Sequence, residues 1–271
     1  MARTGIVFLM YHELELPGRP LCQSEPGYAR YVLSQGTFLS QMGWLAQKGW
    51  RGLSVNEALG YPSGNSVAIT FDDGCETDLT AAAPILKENG WNATFYVTAG
   101  FVGKPGYLSS GQLRQLHALG FEIGCHSMTH AYLDDLDHSA LRREIFDAGK
   151  MLEDMIGEKI EHFSCPGGRY DDRTSNLARE AGYQSLATSW AHANSPTTNP
   201  YSLGRVAVLR GTDEVTFGRI CTAEALWQMR LGEYLRGAAK SVMGNGLYDH
   251  FRNLSCCVRH RLESWAKDRT A

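Results

Sequence analysis

Val67-Ala68-Ile69-Thr70-Phe71-Asp72-Asp73-Gly74 starts as an unbroken apolar and β-branched run and ends in two carboxylates and a glycine. A run of that kind suits a strand covered on both faces, as in a mainly parallel sheet. Outward from it, comparable runs recur at 5–11, 93–97, 121–124, 162–165, 184–188 and 205–209. Helical patterns fill the gaps, at 37–48, 77–89, 110–119, 139–156 and 172–181, and a glycine stands just past each end at Gly49, Gly90, Gly120, Gly157 and Gly182. Seven strands with helices between them predict an α/β fold, and the pattern is common to a barrel and an open doubly wound sheet. Two stretches break the rhythm. Residues 13–36 form a long polar insertion after the first strand, and from Cys221 onward the chain turns helical and loses its strands.

The composition narrows the function. The 271 residues carry 26 Lys+Arg against 29 Asp+Glu, a net charge of −3, so bulk positive charge for nucleic acid is absent. With 43% hydrophobic residues the chain can bury a large core and is not intrinsically disordered. No apolar run reaches the ~18 residues of a membrane span, and the first strand lacks the length and cleavage site of a signal peptide. Seven cysteines without a CxxC pair suit free thiols. These features predict a soluble, cytoplasmic protein. The expected organisation is a catalytic unit over 1–220 and a helical extension over 221–271. Between Arg230 and Arg269 the extension holds eight Lys/Arg and four Asp/Glu. Leu226, Trp227, Leu231, Tyr234 and Leu235 suggest an amphipathic face there, for packing on the parent domain or, as the alternative, for weak membrane or assembly contact.

Three segments carry chemistry, each leaving a strand. In Thr70-Phe71-Asp72-Asp73-Gly74, adjacent carboxylates at a strand end point in different directions, so one can bind a metal while its neighbour acts as a base; alone, DDG equally suits a turn or helix cap. Cys125-His126-Ser127-Met128-Thr129-His130 places two histidines four apart, which would share a face if the segment were one helical turn. Two histidines and one carboxylate leave open positions for water and substrate, as catalytic zinc requires. Phe163-Ser164-Cys165-Pro166-Gly167-Gly168-Arg169 is the third; its Pro166 and Gly167 give a rigid backbone that could approach a ligand and stabilise an oxyanion, and in isolation it is also an ordinary Pro-Gly turn. In a parallel sheet or barrel these strand ends meet on one rim.

Together the three segments resemble the polysaccharide deacetylase family, the NodB-homology carbohydrate esterases, over roughly residues 5–210. The resemblance implies a distorted seven-stranded (β/α) barrel. It implies Asp72 as general base and Asp73, His126 and His130 as ligands of a divalent metal, zinc foremost, with a carbohydrate substrate. Two departures stand out. No arginine opens the third segment, where His162 and Phe163 stand, and no Leu-x-His follows near Val206–Arg210. The opening Phe8-Leu9-Met10-Tyr11-His12 is similar to the exopolysaccharide N-deacetylase branch, in which that last element is permuted to the N-terminus. His12 would then be the general acid, kept protonated by the neighbouring Glu13, with His192 as the competing candidate. Arg205 could replace the missing arginine or contact substrate, and Trp190 could line a sugar groove. Cys75, Cys125 and Cys165 each adjoin a segment and read as small packing residues. The expected function is metal-dependent removal of acetyl from an N-acetylated sugar in a polysaccharide or its precursor. The alternatives are a related barrel hydrolase of a cyclic amide or lipid-linked sugar, and a silent carbohydrate-binding homologue.

Overall fold

The computed structural model describes residues 5–25, 27–61 and 64–231. Among these residues lie ten strands: β1 Val7–Tyr11, β2 Leu14–Glu15, β3 Leu33–Ser34, β4 Arg51–Leu53, β5 Ser66–Phe71, β6 Thr94–Val97, β7 Glu122–Cys125, β8 His162–Ser164, β9 Ser185–Ala187 and β10 Val206–Ala207. The main sheet runs β10-β1-β5-β6-β7-β8-β9, with every neighbouring pair parallel. Its two edges approach each other through a single segment. Leu203 bridges to Ala187 of β9, and a few residues later β10 pairs with β1. The sheet is thus a distorted seven-stranded barrel, closed by one short and irregular strand.

Period-two alternation builds its two faces. Val7, Leu9 and Tyr11 of β1 and Val67, Ile69 and Phe71 of β5 join the large core under the helices, whereas Phe8 and Ala68 join a smaller inner cluster with Tyr96 and Ala187. The outer layer comprises α1 Gln35–Gln47, α2 Val55–Leu59, α3 Ala83–Glu88, α4 Ser110–Ala118, α5 His138–Arg142, α6 Ala148–Ile156, α7 Asp172–Glu180 and α8 Glu214–Cys221. All five glycines expected at helix ends adopt positive φ.

The structure differs from the sequence reading at several elements. The helices expected over 77–89 and 139–156 are each interrupted by a π-helical turn, Asp78–Ala82 before α3 and Arg143–Asp147 between α5 and α6. Strand β4 carries no apolar run to reveal it. It packs because Gly52 has no side chain: a Cβ there would lie 2.5 Å from Ile69 Cδ1. The insertion after β1 is tied at both ends by the parallel pair β2–β3. Helix α8 lies across the expected boundary at 220/221, with Phe217, Ile220 and Cys221 buried and Phe217 edge-on to Trp44 of α1. On the amphipathic face expected beyond it, Leu226 is buried while Trp227 and Leu231 are exposed. Tyr234, Leu235 and most of the 221–271 extension lie outside the described residues. No helix among the described residues is long and apolar enough to cross a membrane.

Candidate active site

Because the barrel strands are parallel, His12, Asp72, His126 and Cys165-Pro166 all leave it at one rim. Alternation along β5 sends Ala68 and Thr70 inward, and Asp72 continues that face. There it meets Arg205, whose Nη1 and Nη2 lie 2.6 and 2.8 Å from Asp72 Oδ1 and Oδ2. The guanidinium has five N–H groups and all are used: the others reach Thr70 Oγ1 (3.2 Å), Ser164 Oγ (2.7 Å) and the Thr188 carbonyl (3.0 Å). Burial alone would raise the Asp72 pKa, but Arg205 and then His126 outweigh it and hold the carboxyl well below its usual range. Arg205 is fully buried. The substrate-contact role considered for it is therefore corrected: it has no surface to offer a ligand, and it orients Asp72 instead.

The chain then turns sharply. Asp73 and Gly74 both take left-handed backbone, with φ of 80° and 81°. At Gly74 a Cβ would also sit 2.9 Å from Val97 Cγ1, so glycine is required twice over. This turn aims Asp73 away from Arg205 and toward the histidines. Its Oδ1 lies 3.7 Å from His126 Nε2 and 3.4 Å from His130 Nε2. One donor atom from each of the three side chains falls within 4.8 Å of the others.

The histidines converge by a route the sequence reading did not foresee. Residues 126–130 form no helical turn; Ser127 and His130 are both left-handed, at φ 65°. His126 is buried, and its Nδ1 donates to the Ser164 carbonyl at 2.9 Å, which leaves the Nε2 lone pair facing Asp73. Burial dominates its titration and lowers its pKa to about 4, favouring the neutral ligating form. His130 is one-third exposed and opens the site to solvent.

These residues fit a divalent metal on two grounds. Among the described residues, Asp73 Oδ1 is buried without any hydrogen-bond partner, which is costly unless something else satisfies it. The donor set of two imidazole nitrogens and one carboxylate oxygen is also that of a catalytic zinc site with open positions.

His12 belongs to this rim. Asp73, Asp72, Arg205 and His130 all act on its charge, and its ring packs 4.9 Å from that of Tyr31. The expected support from Glu13 is not there. Glu13 turns into the insertion, where its carboxylate accepts from Arg19, the Cys22 amide and the Tyr28 hydroxyl. Burial lowers the His12 pKa despite the two aspartates, so the resting imidazole is neutral rather than held protonated. His192 sits elsewhere, packed on Gly204, and Arg230 is the charged group that acts on it. Pro166 and Gly167 form a single 3-10 turn in which Gly167 is exposed, left-handed and backed by the Tyr132 ring. Trp190 is 41% exposed in the loop after β9. Cys75, Cys125 and Cys165 are buried thiols.

Sequence reasoning missed three contributors. Ser164, inside the third segment, supports both His126 and Arg205. Tyr31 covers His12 from the insertion. Glu144 accepts hydrogen bonds from the 126–130 turn. Its signal was available: an acid sits on the stripe formed by Leu141, Ile145, Ala148 and Leu152, all buried.

The comparisons with known proteins agree with this geometry. The profile of the polysaccharide deacetylase family matches residues 60–186. The Bacillus subtilis polysaccharide-deacetylase homologue YxkH is 31% identical over 187 residues, covering 67% of each chain. The poly-β-1,6-N-acetyl-D-glucosamine N-deacetylase of Staphylococcus aureus is 25% identical over 66% of this chain and 68% of its own. Among solved structures, IcaB from Ammonifex degensii superposes with a TM-score of 0.68 at 27% identity, over 82% of this chain and 97% of that one. The chain belongs to the polysaccharide deacetylase family, hydrolases that cleave carbon–nitrogen bonds in N-acetylated sugars.

Proposed function

We propose that this protein is a divalent-metal-dependent N-deacetylase of N-acetylglucosamine units in a polysaccharide or its precursor. The carrying observation is the convergence of Asp73, His126 and His130 around an orphaned, buried carboxylate oxygen, beside a second carboxylate gripped by Arg205. The Staphylococcus aureus relative, named for a β-1,6-linked N-acetylglucosamine polymer, supports that polymer as the first substrate to try. Asp73, His126 and His130 would hold the ion, with zinc the best match to the donors. When bound, the ion supplies a Lewis acid that polarises the acetamide carbonyl and eases deprotonation of water.

The chain's own residues do the rest. Asp72 takes the proton of the attacking water, and its ionised state is secured by Arg205. Both carboxylate oxygens are pinned by the guanidinium, so the base has one orientation. The exposed turn at Pro166-Gly167 offers backbone to the developing oxyanion. His12 delivers a proton to the departing amine, which leaves poorly without one. Because burial favours its neutral form, His12 would be loaded by the proton that Asp72 takes from the attacking water, so that one proton passes from water to the amine and both residues return to their resting states. Trp190, exposed in the loop after β9, is the candidate for a sugar-ring contact.

The test is acetate release from a β-1,6-linked N-acetylglucosamine oligomer, peptidoglycan fragments and chitin oligomers, by protein stripped with a chelator and reloaded with Zn²⁺. Activity that appears with metal and vanishes in His126→Ala supports the reading. Equal activity with and without chelator overturns it.

A further inference from the structure

The two metal-facing histidines lie on a turn that is conformationally expensive. Ser127 and His130, neither of them glycine, both take left-handed backbone, and such residues persist where the surroundings over-determine them. The surroundings can be named. From one side, the Ala99 and Gly100 amides donate to the Ser127 and Met128 carbonyls at 3.0 and 2.9 Å. The fit is close, since a Cβ on Gly100 would meet the Met128 oxygen at 2.5 Å. From the other side comes one carboxylate. Glu144 Oε2 accepts from the Met128 and Thr129 amides at 2.9 and 2.8 Å, and Oε1 accepts from Thr129 Oγ1 at 2.6 Å. Those amides lie between the two left-handed residues. Glu144 is itself 7% exposed and sits in the π-helical turn 143–147, a local widening of the helix of the sort that recurs at functional sites.

We propose that Glu144 is the positioning residue of the metal site: its carboxylate clamps the 126–130 turn so that His126 and His130 converge on Asp73. The inference rests on the metal-site reading above and adds a residue outside all three sequence segments. The clamp acts through geometry, because both oxygens are used as acceptors by donors on one short loop. A shorter side chain should therefore fail even with its charge intact. A neutral one of equal length should succeed: the glutamine carbonyl can accept both amides, while its NH₂ donates to the Thr129 hydroxyl.

The experiment measures Co²⁺ and Zn²⁺ affinity of metal-free full-length protein by competition with a chromophoric chelator. The Co²⁺ absorption bands serve as a second readout of ligand geometry. Supporting groups of this kind typically govern metal affinity by about 10–100-fold, so Glu144→Asp and Glu144→Leu should weaken binding in that range and alter the Co²⁺ bands. Glu144→Gln should stay within about threefold of wild type, since every hydrogen bond of the clamp can be retained. A merely structural Glu144 would lower the melting temperature of the metal-free variants while leaving affinity and bands unchanged, and that result overturns the proposal. Loss in Glu144→Gln as large as in Glu144→Leu also overturns it, since charge rather than geometry would then be responsible. If Glu144→Leu does not fold, the Asp and Gln variants decide. Wild-type protein that takes up no metal overturns the metal reading and this inference with it. Tight wild-type binding that is lost in His126→Ala but unchanged in Glu144→Asp overturns the inference alone.

Discussion

Arg205→Met removes the charge from a pair that is buried on both sides. Asp72 is 2% exposed and Arg205 is fully buried, and the two share a bidentate contact. Breaking such a pair by removing one partner costs about 3–5 kcal/mol, because the remaining charge is stranded. The Ser164 hydroxyl and Thr188 carbonyl lose a donor as well, at about 1 kcal/mol each. Asp72→Asn in the same chain removes the stranded charge, so the double variant should recover about 2 kcal/mol or more relative to Arg205→Met. The sign of the pH dependence should also invert. In the wild type the folded-state pKa of Asp72 is depressed, so its stabilisation is complete above the unfolded value of about 3.9 and is lost as pH falls below it. In Arg205→Met the largest influence opposing burial is gone and only His126 and His12 still lower that pKa, so burial raises it, and the variant regains stability as pH falls toward the unfolded value. Urea unfolding in the presence of chelator, at several pH values, measures all of this without metal linkage. A loss below about 1 kcal/mol, or a double variant no more stable than Arg205→Met, would refute the assignment of Arg205 as the countercharge that holds Asp72.

Further outcomes follow from the same geometry. Asp72→Asn keeps the shape and the metal but cannot take a proton, so acetate release should fall by about 10²–10⁴-fold at unchanged metal content; loss of metal would make Asp72 a ligand. His12→Ala should cost about 10²–10⁴-fold on acetamide substrates and much less on an aryl acetate ester, whose leaving group needs no proton; equal losses on both would assign His12 a binding or folding role. His192→Ala should leave that leaving-group dependence intact. Gly74→Ala imposes left-handed strain and a 2.9 Å contact with Val97, so it should lower stability by about 1–3 kcal/mol and displace Asp73. Differential scanning calorimetry and metal analysis check both effects.

The strand ends were legible because burial on both faces writes an apolar run that stops where the rim begins, as at Phe71 and Cys125. The helix ends were legible because a left-handed residue favours glycine. Elements that pack by means other than apolar runs were not. Strand β4 holds its place through the absence of a side chain at Gly52, and β10 is short because the chain there serves two edges at once. The 126–130 turn misled for a related reason. Four-residue spacing is a helical signal, but here two left-handed residues and a distant carboxylate produce the same convergence. Arg205 finds Asp72 across 133 positions, a pairing with no local signature, so the residues alone left its role open between base and substrate. Glu13 misled in the opposite direction. It is adjacent to His12 in sequence, yet alternation turns it to the other side, where Arg19 and Tyr28 consume its charge.

The twin aspartates show how one dipeptide acquires two roles. Both side chains carry the same carboxylate, and what surrounds each oxygen supplies the physical difference behind the two roles that their strand-end position suggests. Asp72 has a guanidinium on both oxygens, which fixes its charge and orientation while leaving Oδ2 3.8 Å from His126 Nε2, on the side where chemistry would occur. A carboxylate so held makes a poor ligand, because its strongest acceptor directions are already taken. Asp73 is equally buried, but among the described residues it has no lysine or arginine partner, and its Oδ1 has no donor at all. Two carboxylates against one guanidinium leave the site with one negative charge in excess, and burial favours the neutral forms of His126 and His12. Desolvating that excess is costly in a folded protein unless a cation answers it. A divalent ion on Asp73, His126 and His130 would do so and would also give the orphaned oxygen a partner. The left-handed step at Asp73-Gly74 separates the two environments by turning one side chain toward Arg205 and the next toward the histidines. In the proposed mechanism, that single turn of backbone would divide base from ligand.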